Sequence, residues 1–155
     1  MSRSSALDTL IDLTREAVDA AGRNLAGARR TQQQVQTQLD TLNHYRHEYC
    51  VGLQRAMQEG MDPASLLNYQ AFLRSLDDAI ARAAQTLRDQ IDQVGQRQQQ
   101  WLEQKRKLNS YNTLVDRRTQ AEQLRENRSQ QRLTDELSAQ LRLRSNAFGT
   151  SGNHL

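Results

Sequence analysis

The sequence predicts an all-α protein: a long antiparallel two-helix coiled-coil hairpin whose second helix extends beyond the first. Three observations point there. A heptad stripe fills the first third of the chain, one strong turn signal stands near residue 60, and a second heptad stripe follows it.

The first stripe steps alternately four and three residues: Leu7, Ile11, Thr14, Val18, Ala21, Leu25, Ala28, Gln32, Val35, Leu39, Leu42, Arg46, Tyr49, Leu53. Eleven of these fourteen positions are apolar or aromatic. A mean step of about 3.5 residues keeps one narrow face turned to a partner helix, as in a left-handed coiled coil. Helix 1 is therefore expected over about residues 5–58.

The turn is Gln58-Glu59-Gly60-Met61-Asp62-Pro63. Gly60 suits the left-handed residue after a helix end. Asp62 suits an N-cap, and Pro63 suits the first helical position, where its missing N–H is no loss. So short a connection makes the two helices antiparallel neighbours.

Helix 2 is expected from Pro63 to about residue 143. Its stripe reads Tyr69, Leu73, Leu76, Ile80, Ala83, Leu87. Ile91 and Val94 then follow a second consecutive step of four, which predicts a stutter that locally unwinds the supercoil. Trp101, Leu108 and Val115 continue the stripe across polar gaps. Gly22, Gly27, Gly52 and Gly95 lie inside the helices, each weakening them by about 1 kcal/mol relative to alanine. Bending or fraying is expected near Gly22 and Gly27.

Pairing about the turn joins residues whose numbers sum to roughly 121. Helix 1 is then exhausted when helix 2 reaches about residue 116. The stretch 117–143, with Leu124, Leu133, Leu137 and Leu141 among many charged residues, lacks a partner in its own chain. An isolated helix of that length is marginal in water, so the segment is either a frayed tail or, the favoured reading, one that another protein completes. Residues 146–155, with two glycines, are expected to be disordered.

Composition excludes several functions. Hydrophobic residues make up 36% and aromatics 5%, with one proline, so the chain lacks the apolar content of an ordinary core. The formal net charge is +3, and residues 1–60 balance with seven basic and seven acidic side chains. The basic excess lies later, around Lys105-Arg106-Lys107 and Arg117-Arg118, interleaved with acids as on a solvated helix, a pattern that leaves a nucleic-acid face open without indicating one. No apolar leader or membrane span stands out, and one cysteine, Cys50, fits a reducing compartment, so a cytoplasmic protein is expected. No phosphate loop, nucleophile elbow or paired metal motif is present, and neither catalysis nor a cofactor is expected. His44, His47 and Cys50 are spaced by three but spread over about 120° of helix surface with no fourth ligand nearby.

The hairpin end carries more. Gln38, Leu42, Tyr45 and Tyr49 form a stripe spaced 4-3-4 on helix 1, and Phe72, Leu76, Ala79 and Ala83 form its counterpart on helix 2. The pairing register lays them side by side. Tyr45, Phe72 and Ala79 are surplus to a two-helix seam and are expected at its edge, where exposed aromatics mark a binding patch.

Tyr45-Arg46-His47-Glu48-Tyr49, then Asn68-Tyr69-Gln70-Ala71-Phe72-Leu73 and Leu76-Asp77-Asp78-Ala79-Ile80, resemble the FliJ family of flagellar export proteins. Trp101 before Lys105-Arg106-Lys107 fits as well, as do Arg117-Arg118, Glu126-Asn127-Arg128 and Asp135-Glu136. The resemblance spans residues 5 to about 140. It implies a soluble component of the flagellar type III export apparatus, peripheral at the cytoplasmic face of the membrane, shaped like the stalk of a rotary ATPase. The implied partners are the hexameric export ATPase, the cytoplasmic domain of the export-gate membrane protein and the chaperones of export substrates. The implied gate-binding residues are Gln38, Leu42, Tyr45, Tyr49, Phe72, Leu76, Ala79 and Ala83, although Ala83 stands where the family more often has a larger polar side chain. The implied ATPase-binding residues are Arg117, Leu124, Arg125, Asn127 and Arg128. An injectisome stalk of the same architecture is the nearest alternative, and a basic nucleic-acid-binding coiled coil a more distant one.

Overall fold

The computed structural model describes residues 2–149, with side chains from Ser5 onward. Two α-helices account for nearly all of them: α1 is Ser2–Glu59 and α2 is Pro63–Gly149. The described residues contain no strand. The chain divides into two units, one up to Leu108 and one from Asn109 onward. In the first unit the helices pack against each other as the expected hairpin.

The turn closes by the chemistry its residues predict. Gly60 has φ 93° and its N–H donates to the Met57 carbonyl at 3.4 Å, ending α1 in the left-handed conformation glycine tolerates. Asp62 caps α2. Its carboxylate accepts a hydrogen bond from the Ser65 hydroxyl, foremost, which holds it below the ordinary carboxylate range against desolvation, with the backbone N–H groups of Asp62 and Ser65 adding to the lowering. Its own carbonyl accepts from the Leu66 N–H at 3.2 Å, the first α-helical bond.

Burial follows the α1 stripe closely. Leu7, Ile11, Thr14, Ala21, Leu25 and Val35 are buried, and the remaining stripe positions are half-buried except Arg46. Thr14 satisfies its buried hydroxyl by donating to the Leu10 carbonyl at 2.7 Å. Arg46 is exposed and leaves the seam sideways, its Nε donating to Asp77 of α2.

On α2 the expected stutter does not occur. Ile91 is 48% exposed, whereas Gln90, one residue earlier, is half-buried. The half-buried set continues as Gln90, Val94, Arg97, Trp101, Gln104 and Leu108, which keeps the alternation of four and three unbroken. Gln90 holds its place because its Nε2 donates to the Ala28 carbonyl across the seam at 3.1 Å. A polar side chain that finds a partner there is accepted, so the apolar Ile91 is left outside.

α1 also runs unbroken through Gly22 and Gly27. A Cβ on Gly22 would lie 3.5 Å from Nε1 and 3.6 Å from Cδ1 of Trp101, so the indole covers this glycine, while the Lys105 ammonium lies 4.6 Å from the centre of the same ring system. Residues 146–149, expected to be disordered, form the last turn of α2. Nothing breaks the helix before Gly149, and the Ser145 hydroxyl donates to the Arg142 carbonyl at 3.1 Å. The remaining expected tail, 150–155, lies outside the described residues.

Gly22→Ala meets only ordinary contact with Trp101 and should stabilise the hairpin by about 0.5–1 kcal/mol through helix propensity, whereas Gly60→Ala should destabilise it by about 1–2 kcal/mol because of its positive φ. Urea unfolding of both variants checks the opposite signs. The lowered folded-state pKa of Asp62 gives stability that is present above its unfolded value near 3.9 and lost as pH falls through the folded value. Asp62→Asn caps without titrating, so its melting temperature should fall less than that of the natural chain between about pH 5 and 2.

Candidate functional site

The hairpin register sets the site. The Tyr49 ring lies 4.3 Å from Phe72 and 4.9 Å from Tyr69, centre to centre, with the planes tilted by 36° and 46°. Tyr49 is half-buried and thus ties the seam to its edge. Tyr45 remains 55% exposed and Phe72 45% exposed, outside the seam as their spacing predicts.

Two grooves line this flank. The first, of about 380 Å³, is walled by Tyr45, Tyr49, Tyr69, Phe72 and Leu76, with Glu48 and Gly52 completing it. The second, of about 370 Å³, is lined by Thr37, Gln38, Thr41, Leu42 and Ala83. Residues 38, 42, 45, 49 and 52 are spaced 4-3-4-3, so both grooves share one flank of α1. Of the eight residues read from the sequence as a binding set, four line the first groove and three the second; Ala79 is half-buried and lines neither. Leu76, the buried residue of α2, serves seam and groove together.

Five lining residues were not in that set: Glu48, Gly52 and Tyr69 in the first groove, and Thr37 and Thr41 in the second. Tyr69 counted as a seam position and Gly52 only as a helix-weakening residue. Their numbers also sum to about 121, so the register that paired the aromatics could have placed them opposite each other.

Arg117, Leu124, Arg125, Asn127 and Arg128 all belong to the second unit, and every residue from 116 to 149 is exposed. Residues 117–149 carry seven arginines against four acids, which equals the whole net charge of +3. Leu124 and Leu133 are 57% and 59% exposed and lie nine residues apart, about two and a half turns, so they face opposite sides of the helix. Leu137 and Leu141 share the Leu133 side. Arg128, Gln131, Arg132 and Asp135 border a shallow recess of about 180 Å³ on α2.

His44 pairs with Glu48 at 3.1 Å rather than with Cys50. The half-buried Cys50 accepts a long contact of 3.9 Å from Arg46 Nη1. No cluster of three or more His, Cys, Asp or Glu able to hold a metal ion exists among the described residues, and no described helix is long and apolar enough to cross a membrane.

Comparison with known proteins gives consistent matches. The family described as "Flagellar FliJ protein" matches residues 3–147. The Flagellar FliJ protein of Salmonella typhi is 36% identical over 144 residues, covering 93% of this chain and 98% of that protein. Its counterpart from Escherichia coli (strain K12) is 35% identical over the same length and the same shares of both chains.

Core and flank should separate by mutation. Leu25 is 6% exposed, and Leu25→Ala should destabilise by about 2–5 kcal/mol. Tyr45→Ala, at an exposed position, should change stability by less than about 1 kcal/mol. Chemical denaturation of the two variants measures both, and equal losses would place Tyr45 in the core.

Proposed function

Since the chain belongs to the flagellar FliJ family, we propose that it is a non-catalytic component of the flagellar type III protein export apparatus, linking the export ATPase to the export gate and escorting substrate chaperones. The observation that carries this reading is the aromatic flank near the turn, where Tyr45 and Phe72 stay exposed beside two grooves. Aromatic area that the hairpin does not bury for itself is suited to hold another protein.

In this reading Gln38, Leu42, Tyr45, Tyr49, Phe72, Leu76, Ala79 and Ala83 meet the cytoplasmic domain of the export-gate membrane protein. Arg117, Leu124, Arg125, Asn127 and Arg128 meet the ATPase hexamer. The support for the second contact is physical. The segment is wholly exposed, carries the chain's net positive charge, and as a single helix gains stability from being covered. The protein would act at the cytoplasmic face of the membrane, at the flagellar base. An injectisome stalk would fit the same hairpin, but both named relatives are flagellar.

The test is retention of the purified chain by the cognate export ATPase and, separately, by the gate domain. Ending the chain at residue 116 should abolish ATPase binding and spare gate binding. Tyr45→Ala with Phe72→Ala should do the reverse, since an aromatic anchor is worth about 2 kcal/mol, and two would weaken the gate affinity by up to a few hundred-fold. Unchanged ATPase affinity after truncation, or unchanged gate affinity in the double variant, would remove the corresponding contact.

A further inference from the structure

We propose that Gly52 forms the empty base of a socket that receives one large apolar side chain of the gate domain, presented beside a lysine or arginine. This rests on the gate-binding reading above and adds the residues and chemistry that would select the partner.

A Cβ built on Gly52 meets nothing within 4 Å, although Tyr45, Tyr49, Tyr69, Phe72 and Leu76 surround the groove it lines. Packing within this chain therefore does not require glycine there, and helix propensity disfavours it. Gly22 differs, because the Trp101 indole already stands over it. What a side chain at position 52 would take up is the groove itself. Helical side chains lean toward the N-terminus, so a leucine there would lie over the turn that holds Glu48 and Tyr49.

The walls are set before any partner arrives. Tyr49 sits between Tyr69 and Phe72 at centre-to-centre distances of 4.9 and 4.3 Å, so three of the four rings hold one another in place. A groove of about 380 Å³ is at the small end of ligand clefts, suited to a leucine, methionine or phenylalanine anchor rather than to a whole helix.

Charge narrows the partner further. Glu48 is the one acidic or basic side chain lining the groove, and its own companion is the exposed His44 at 3.1 Å. A carboxylate at the rim of an apolar cleft attracts a cation adjacent to the anchor and repels an anion. The fitting ligand is thus an apolar side chain with a basic neighbour within a turn.

Gly52→Leu in the full chain tests this, with calorimetric titration of the cognate gate domain as the readout. Filling the socket should lower gate affinity at least tenfold while raising the melting temperature by about 2–4 °C and leaving ATPase binding unchanged. Gly52→Ala, which adds one methyl, should lower affinity less. Glu48→Lys should weaken binding, and Glu48→Gln should flatten its salt dependence. Normal gate binding by Gly52→Leu, where Tyr45→Ala with Phe72→Ala loses it, would overturn the socket and leave the gate contact standing. Normal binding by both variants, or none by the natural chain, would overturn the gate contact and the socket with it. A lower melting temperature for Gly52→Leu would also overturn the socket, because position 52 would then not be open.

Discussion

The constraint on which the first unit depends is the alternating step of four and three residues that faces one helix with the other. Two helices can bury only one stripe each, so even the best-covered side chains, such as Leu25 and Ile11, keep 6–7% of their surface exposed. The seam gains its strength from length rather than depth. A seam of this kind leaves large side chains on its flanks. The aromatic grooves near the turn are that kind of feature, formed where large rings overflow a seam too narrow to cover them.

Polar residues within the seam serve the same constraint. Thr14 turns its hydroxyl back onto its own helix, Gln90 reaches the Ala28 carbonyl, and Arg46 swings out to Asp77. None of these contributes much to stability; the Arg46–Asp77 pair is about half exposed, where ion pairs are worth little. Thr14 only satisfies its own buried hydroxyl, whereas Arg46 with Asp77 bears on register. A hairpin slipped by one heptad would part Arg46 from Asp77, whereas Gln90 would still meet a backbone carbonyl one heptad along. The aromatic residues depend on that register, because Tyr49 meets Phe72 and Tyr69 only when the helices are aligned as they are.

The second unit obeys different physics. It is helical by local propensity, with arginine, glutamine and leucine throughout, and it buries none of its residues from 116 to 149. Its exposed leucines are spread around the helix, Leu124 opposite Leu133 with Leu114, Leu137, Leu141 and Leu143 at angles between, unlike the single stripe of α1. A helix apolar on two sides is suited to being surrounded, whereas α1 is suited to being paired.

The sequence by itself determined the fold class, the turn and nearly the whole α1 seam, because heptad spacing and the Gly60, Asp62 and Pro63 signals act locally. It also separated Tyr45 and Phe72 from the seam, since their angular position follows from helix periodicity alone. Tertiary structure decided where local rules competed. Hydropathy favoured Ile91 over Gln90 and so predicted a stutter, but a carbonyl supplied by the opposite helix made the glutamine acceptable and kept the repeat intact. Gly22 and Gly52 are equivalent as glycines inside a helix. Only the packed hairpin distinguishes them, by placing the Trp101 indole over the first and open groove beside the second, because what surrounds a residue without a side chain is set entirely by its neighbours.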